Sequence, residues 1–338
     1  MTLWLRCEAD GTEHIGTLED DTVTVWTGDL FADPQPTGQR FPLAAVRLLT
    51  PCLPGKLIGL WNNFHERAQK EGLRRPEHPL YFIKASTCHA AHGEPIRRPD
   101  GYQGALVFEA ELGIVVGRRV KAIDTVEAAA AIFGYTCVND VTARDLMRLD
   151  PAFVHWTRAK SFDTFGPFGP VIATGLDPAG LRVRAVVSGE ERQNYPVGDM
   201  FFSPAEIVSR ISHDMTLEAG DLILCGTSVG VGTMKPGSRI VSHAFDMGDW
   251  TPDDKIDAGA GCSSWCTAYK WIIPAKVGGT WSLGEGELKL TQTFQMLAGE
   301  ITTNGKPMPI SDAKMNGTKI TFTAGGKRYT GDVADGKM

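Results

Sequence analysis

The chain has 338 residues, with 34 lysines and arginines against 40 aspartates and glutamates, which gives a formal net charge of −6 at pH 7. This acidic balance argues against a nucleic-acid-binding protein, and no apolar run approaches the length of a membrane span. The first residues lack the basic-then-apolar order of a signal peptide, and the seven cysteines, an odd number, indicate reduced thiols. We therefore expect a cytoplasmic protein without nucleic-acid or membrane partners.

The chain order of predicted elements indicates three regions. Residues 1–52 contain short alternating stretches such as Thr22–Trp26 and end in a proline-rich join, which predicts a small β-rich N-terminal domain. Residues 53–240 carry the motifs described below and form a predicted catalytic core. Residues 241–338 follow a different pattern and predict a β-rich appendage. Many short strands and few long amphipathic helices favour the α+β class.

Two glutamates one residue apart are the strongest signal in the predicted core. Glu109 and Glu111 lie in the apolar run 105–117, which predicts a strand, so both side chains should point to the same face. Carboxylates that close raise each other's pKa unless a positive charge lies between them. Oxygen ligands suit hard cations such as Mg²⁺, Mn²⁺ or Ca²⁺. The alternative is an edge strand with two solvated glutamates.

A third carboxylate follows on the next predicted strand. Residues 131–140 read as a strand that ends at Asp140, and Thr142 is a plausible cap for a helix beginning directly afterwards. Asp140 could complete a three-oxygen site that leaves positions open for water and substrate. Lys160 lies between aromatic residues and precedes the Gly/Pro-rich run 166–170. It is either a surface charge or, as we expect, a partner for an anionic substrate group.

Four motifs together resemble the fumarylacetoacetate hydrolase family, in family order and with comparable spacing. They are Glu109–Gly113, Val138–Asp145, Ala159–Asp163 and Leu224–Gly232. The resemblance extends from near the N-terminus to about residue 240. It implies a rolled β-sandwich core, a homodimer, and a divalent metal, usually Mg²⁺, held by Glu109, Glu111 and Asp140. It also implies hydrolase or lyase action on C–C bonds of 2-oxo or β-diketo acids of the acylpyruvate or fumarylpyruvate type, through a metal-chelated enolate. Oxaloacetate decarboxylases, isomerases and dehydratases are relatives within the family.

The resemblance also suggests roles for individual side chains. Lys160 would neutralise carboxylate or enolate charge, and Thr227 would hold a substrate oxygen. His65 is the candidate general base, or alternatively a lid histidine that only packs or binds substrate. Two positions depart from the family pattern: Ala68 stands where a glutamate commonly orients the histidine, and Met147 stands where a glutamine is frequent. These departures leave room for a catalytically silent protein that binds a dicarboxylate or mediates association.

Two other chemical signals are weaker. Ser228 lies in a G-x-S-x-G pattern, but the Gly- and Pro-rich sequence that follows is unsuited to the helix that a nucleophile elbow needs. Cys262 and Cys266, with His243 nearby, lack a fourth ligand and the usual spacing of a zinc site. Helices are predicted over Thr125–Ile132 and Pro204–His213. The second has Ser203 as N-cap and a glutamate in capping-box position.

Runs at 271–281 and 288–299 resemble the C-terminal part of bacterial class I S-adenosylmethionine-dependent methyltransferases. The glycine-rich loop and acidic ribose-binding residue of those enzymes are absent, so methyl transfer is not expected. Lys319–Ala324 and Lys327–Gly331, joined through two glycines, predict a β-hairpin. Residues 241–338 therefore read as a grafted module. A strand near residues 239–244 would be needed to cover the sheet edge of the core.

Overall fold

The computed structural model describes residues 1–235, 237–238, 240–241, 254–257, 267–270, 277–283, 286–293, 295–303, 305–316 and 318–333. The chain divides into two compact units, Met1–His243 and Ala244–Met338. The three-region organisation expected from the sequence stays a prediction. His243, Cys262 and Cys266 lie outside the described residues. No helix in the described part is both long enough and apolar enough to cross a membrane.

Strands dominate the first unit. Its helices are α1 (His65–Glu71), α2 (Thr125–Ala131), α3 (Trp156–Lys160) and α4 (Pro204–Asp214), with short 3-10 helices at Leu43–Ala45, Ser86–Cys88, Arg144–Arg148, Pro178–Gly180 and Val197–Asp199. Its strands are β1 (Thr2–Ala9), β2 (Thr12–Glu19), β3 (Thr22–Thr27), β4 (Gln35–Pro42), β5 (Arg47–Leu48), β6 (Leu57–Trp61), β7 (Leu80–Lys84), β8 (His89–Ala90), β9 (Leu106–Phe108), β10 (Ala110–Val116), β11 (Ile132–Asn139), β12 (Thr142–Ala143), β13 (Gly166–Pro167), β14 (Ile172–Thr174), β15 (Arg182–Val187), β16 (Glu190–Pro196), β17 (Leu222–Leu224), β18 (Gly232–Thr233) and β19 (Ile240–Val241). The predicted sheet-rich mixture with few helices is confirmed.

One large sheet organises the first unit. Its strand order is β4-β3-β2-β1-β14-β11-β10-β17-β6-β7, with β5 paired to β1. The N-terminal strands thus join the core strands in a single sheet through the β1–β14 pairing. Smaller sheets have the orders β12-β9-β18, β13-β8 and β16-β15-β19. In the last of these, Ile240 pairs with Val187, so a strand covers this edge as the sequence required.

The two longer predicted helices are confirmed within one residue. α4 begins with a capping box, because Ser203 Oγ accepts from the N–H of Glu206 while the Glu206 carboxylate accepts from the N–H of Ser203. α2 is capped by the side chain of Asp124. Both helices contribute apolar residues to a core that also contains residues of the large sheet: Ile58, Ile114, Ala128, Val208, Ile211 and Ile223. Ile114 of this core lies on β10, the strand that also carries Glu111.

Two sequence-based expectations are corrected here. The predicted strand over 105–117 is interrupted at Glu109, since β9 pairs with β12 and β18 while β10 pairs with β11 and β17. The helix expected after Asp140 is instead the short strand β12 followed by a 3-10 helix, and the latter has no side-chain cap. Thr142 does not cap it, because its hydroxyl donates to the Glu109 carboxylate at 2.7 Å.

The described residues of the second unit form mainly antiparallel strands. β20 (Asp254–Asp257) pairs with β21 (Thr267–Lys270), and a larger sheet contains β22 (Gly279–Leu283), β23 (Gly286–Thr293), β24 (Met296–Thr303), β25 (Lys306–Pro309), β26 (Ser311–Asn316), β27 (Lys319–Ala324) and β28 (Lys327–Asp332). The predicted hairpin is confirmed, with Ala324 opposite Lys327. Gly325 and Gly326 have φ of 56° and 75°, which the turn requires and glycine permits.

Candidate metal centre

The three predicted carboxylates meet where the chain passes from β9 to β10. The N–H of Glu109 donates to Asn139 Oδ1 at 3.0 Å, and the N–H of Asp140 donates to the Glu109 carbonyl at 2.8 Å. These bonds tie the interrupted strand to the end of β11. As a result, carboxylate oxygens of Glu109, Glu111 and Asp140 all lie within 4.8 Å of one another. The structure therefore brings the predicted metal-ligating residues together.

Glu111 is deeply buried, with 2% of its surface exposed. Its Oε2 accepts from the N–H of Gly226 at 2.7 Å, while its Oε1 has no partner among the described residues. Gly226 has a φ of 86°, a conformation that glycine adopts readily and that lets this turn present its N–H. Burial, together with the charges of Asp140 and Glu109, raises the pKa of Glu111 well above its ordinary value.

Asp140 is held by two buried lysines. Lys84 Nζ donates to Asp140 Oδ1 at 2.5 Å and to the Phe165 carbonyl at 3.1 Å. Lys160 Nζ donates to Asp140 Oδ2 and, at 3.2 Å, to Glu109 Oε1. Burial alone would raise the pKa of Asp140, but Lys160 and Lys84 together hold it below its ordinary value. Burial alone would lower the pKa of Lys160, and the carboxylates Asp140 and Glu109 raise it instead.

Lys84 was not among the residues singled out from the sequence. A lysine at the end of an apolar strand normally predicts a solvent-exposed side chain, because lysine is almost never fully buried without a partner. The sequence did offer one signal: Phe82 and Lys84 are two residues apart, so on a strand they share a face. In the structure that face of β7 is buried at both positions. Lys160 was singled out, but in the structure its contacts are with protein carboxylates.

The cluster has the chemistry expected of a divalent-cation site. When all three carboxylates are ionised, they and the two ammonium groups carry one net negative charge. The oxygen donors suit Mg²⁺, Mn²⁺ or Ca²⁺. The buried Glu111 Oε1 without a partner is costly unless a donor or cation satisfies it. The residues present therefore fit a divalent ion held by Glu109, Glu111 and Asp140.

The glycine-rich turn lies directly beside this cluster. Thr227 Oγ1 donates to the Ala110 carbonyl at 2.9 Å and accepts from Gln193 Nε2 at 2.8 Å. Its hydroxyl is thus already engaged by the protein, and a substrate-holding role for Thr227 stays a prediction. Ser228 is buried and its hydroxyl has no partner among the described residues. The turn leads into β18 and not into a helix, which agrees with rejecting the nucleophile-elbow reading.

His65 opens α1 as predicted, but its side chain is exposed and its ring packs against Phe201, with 4.2 Å between ring centroids. Ala68 is buried, so the position where a glutamate would orient the histidine faces the core. The same helix instead sends Arg67 toward the site. Its Nη1 lies 3.8 Å from Glu109 Oε2 and 3.5 Å from the Thr227 carbonyl. Arg67 was not predicted as a site residue from the sequence.

A cavity of about 1330 Å³ opens beside Glu109 and Thr142. An aromatic series forms part of its wall. The Phe82 and Trp156 rings are stacked at 5.4 Å, and the Trp61 ring lies 5.8 Å from that of Trp156. Further lining residues include Arg67, Leu80, Tyr81, Val107, Met147, Val154 and Val231. Met147 thus gives an apolar surface where the family often has an amide, and His65 is not among the lining residues.

Comparison with known proteins finds two family descriptions and several relatives that match this chain. The family description "Fumarylacetoacetate (FAA) hydrolase C-terminal" matches residues 56–253, more than half of the chain. A second description, "Rv2993c-like, N-terminal", matches residues 3–51. An uncharacterised protein of Archaeoglobus fulgidus is 41% identical over 235 residues, covering 70% of this chain and 89% of its own length. These matches do not support the methyltransferase resemblance expected for the tail.

Relatives with named activities differ in their reactions. The oxaloacetate tautomerase YisK of Bacillus subtilis is 37% identical over 199 residues, covering 57% of this chain and 65% of its own. The crystal structure of 2-hydroxyhepta-2,4-diene-1,7-dioate isomerase from Mycobacterium marinum has 36% identity and a TM-score of 0.65, covering 71% of this chain and 93% of that one. A maleylpyruvate hydrolase from Sphingobium sp. SYK-6, in complex with manganese(II) and pyruvate, has 26% identity and a TM-score of 0.58 at the same two coverages. The chain belongs to the fumarylacetoacetate hydrolase family.

Proposed function

We propose that this protein is a divalent-metal-dependent enzyme of 2-oxo acids that works by stabilising an enolate. The observation that carries the proposal is the cluster of Glu109, Glu111 and Asp140, whose oxygens lie within 4.8 Å and include one buried oxygen without a partner among the described residues. A divalent ion bound there supplies the positive charge that polarises a 2-oxo acid carbonyl and favours the enolate. Mg²⁺ is the expected ion, with Mn²⁺ or Ca²⁺ as alternatives.

The protein residues would hold and balance charge. Lys84 and Lys160 keep Asp140 ionised, so that this carboxylate is ready to act as a ligand. With a divalent ion added, the net charge of the cluster changes from one negative to one positive, which favours an anionic substrate. Lys160 also contacts Glu109. A substrate bound next to Glu109 would therefore bring its own carboxylate close to the Lys160 ammonium. Arg67 adds positive charge on the cavity side of Glu109.

The cavity suggests a substrate larger than oxaloacetate. A volume of about 1330 Å³ with Trp61, Phe82 and Trp156 in its wall offers more apolar surface than a four-carbon dicarboxylate would use. An acylpyruvate or a related β-diketo acid fits better, with its 2-oxo acid end at the carboxylates and its acyl group along the aromatic wall. C–C bond cleavage of such a compound is the first candidate reaction.

A specific observation favours a second candidate. Hydrolysis needs a base that activates water, and His65 is exposed, packs against Phe201 and has Ala68 in place of an orienting glutamate. Keto–enol tautomerisation or decarboxylation of a 2-oxo acid needs the enolate but no hydrolytic water. The relative from Bacillus subtilis is named an oxaloacetate tautomerase. A silent dicarboxylate-binding or association protein remains the alternative outside catalysis, and a cytoplasmic homodimer remains our proposal for its location and assembly.

One experiment tests this proposal. Metal-stripped protein is incubated with Mg²⁺ or Mn²⁺ and then with acylpyruvates, fumarylpyruvate or oxaloacetate, while the enol absorbance and the released products are followed. We expect turnover of at least one of these acids that stops with EDTA and is lost in Glu111→Gln. The matched control is Glu127→Gln, at an exposed glutamate of α2, which should keep full activity. Metal-dependent binding without turnover would support the silent protein instead.

A further inference from the structure

A single residue, Ala110, separates Glu109 and Glu111. Both its N–H and its carbonyl are hydrogen-bonded to side chains. The N–H of Ala110 donates to Gln193 Oε1 at 2.9 Å. Its carbonyl accepts from Tyr195 Oη at 2.5 Å and from Thr227 Oγ1 at 2.9 Å. Gln193 Nε2 in turn donates to Thr227 Oγ1 at 2.8 Å and to the Val229 carbonyl at 3.2 Å. Three side chains therefore converge on one residue.

Two of these three side chains, those of Gln193 and Tyr195, belong to β16 and are buried on a strand that is otherwise exposed. Gln193 and Tyr195 are each 1% exposed, whereas the other residues of the strand face solvent. They are two residues apart and so share the inward face. Burying an amide and a phenol costs free energy unless their hydrogen bonds are made. Here both bind Ala110, which indicates that the strand is shaped to hold this residue.

We propose that Gln193 and Tyr195 are positioning residues that set the relative placement of the Glu109 and Glu111 carboxylates. Because Ala110 lies between the glutamates, any rotation of its peptide groups changes the separation of the two carboxylates. The same bonds tie Ala110 to Thr227, whose neighbour Gly226 binds Glu111 through its N–H. This inference rests on the proposed metal-dependent function, and it identifies the residues on which the geometry of that site depends.

The expected effect follows from the behaviour of groups that support metal ligands. Removing such a group typically lowers metal affinity about ten- to a hundredfold. Mg²⁺ demands near-octahedral geometry at about 2.0–2.1 Å, whereas Ca²⁺ accepts irregular coordination at about 2.3–2.6 Å. A loosened Ala110 should therefore weaken Mg²⁺ binding more than Ca²⁺ binding. A general loss of folded protein would reduce the apparent binding of both ions alike, so the ratio of the two affinities reports positioning.

The test is calorimetric titration of metal-stripped protein with Mg²⁺ and separately with Ca²⁺. The variants are Gln193→Met, which keeps the side-chain volume, and Tyr195→Phe, which keeps the ring packed on Phe64 at 4.9 Å between centroids. The control is Asn194→Ala, at the exposed neighbour on the other face of β16. We expect a loss of Mg²⁺ affinity of about ten- to a hundredfold in both variants, a smaller loss for Ca²⁺, and no change in the control.

Two results would overturn the inference while leaving the proposed function intact. One is wild-type Mg²⁺ affinity, within about twofold, in both variants. The other is an equal loss for Mg²⁺ and Ca²⁺, which would assign the two residues to general stability. Wild-type protein that binds neither ion would instead remove the metal site, and with it the proposed function. Should Gln193→Met fail to fold, Tyr195→Phe decides alone, since it removes only one hydroxyl.

Discussion

Replacing Lys84 by methionine tests how the buried charges of the metal centre balance. Lys84 is 1% exposed and its ammonium binds Asp140 and the Phe165 carbonyl. Methionine has a similar volume, so the change removes a charge and leaves little cavity. The carboxylates then keep the Lys160 ammonium and the Arg67 guanidinium, which lies 3.8 Å from Glu109. The summed charge of the three carboxylates and the ammonium groups falls from one negative to two negative.

The size of the effect can be estimated from the structure. Removing one partner of a buried ion pair costs about 3–5 kcal/mol, and the fully buried Asp140 makes the Lys84 pair such a case. Asp140 keeps its bond to Lys160, which places the expected loss near the lower end, about 3 kcal/mol. A bound divalent ion restores positive charge, so the more negative site should gain more stability from Mg²⁺ than the wild type does. An ion at 100 times its Kd adds about 2.7 kcal/mol in the simplest case.

The assay is urea unfolding of metal-stripped protein, with and without Mg²⁺. The free energy of unfolding is taken from the transition whose midpoint Mg²⁺ shifts. We expect Lys84→Met to lose about 3 kcal/mol without metal and to recover part of it with Mg²⁺. Lys70→Met, at an exposed lysine of α1, is the matched control and should change stability by less than about 0.5 kcal/mol. A metal-free Lys84→Met protein as stable as wild type would show that the buried Lys84–Asp140 pair does not stabilise the fold.

Three further predictions address other parts of the first unit. Burial and the neighbouring carboxylates raise the pKa of Glu111, so metal-free protein should lose stability as pH rises through that pKa. Mg²⁺ must displace the Glu111 proton, so it should bind more tightly as pH rises. Titration in buffers of different ionisation enthalpy should detect the released proton, and a pH-independent affinity would contradict the prediction. Ser203→Ala removes the cap of α4 and should cost about 1 kcal/mol by chemical denaturation, whereas an unchanged midpoint would mean that the capping box contributes nothing. Burial raises the pKa of the Cys52 thiol to about 12, so it should react slowly with a disulfide reagent in native protein and rapidly in urea; equal rates would show that the site opens freely.

The clustering of Glu109, Glu111 and Asp140 was predictable from the sequence because these residues stand in short motifs at strand ends. The interruption at Glu109 was not, since the apolar run continues on both sides and only the bonds to Asn139 and Asp140 fix the crossing between sheets. Lys84 was missed for a related reason. Its burial depends on Asp140, which is 56 residues away in the chain, and local composition carries no record of that pairing.

The fold shows the same division between local and distant information. The hairpin of β27 and β28 and the capped helix α4 were predicted because alternation, glycine pairs and capping residues are local signals. The continuity of the N-terminal strands with the core sheet was not predicted, because it depends on Thr2 pairing with Thr174. Thr142 shows how a local signal misleads. Its position in the sequence is typical of an N-cap, but its hydroxyl donates to the Glu109 carboxylate, and the chain forms a short strand there.

The most direct test of the metal centre is calorimetric titration of metal-stripped protein with Mg²⁺ and Mn²⁺ in the presence of oxalate, a mimic of enolpyruvate. Wild type is compared with Glu109→Ala. We expect oxalate to bind only when a metal is present, and we expect Glu109→Ala to lose this binding. Oxalate binding that needs no metal, or a folded Glu109→Ala protein that binds metal and oxalate like wild type, would contradict this expectation.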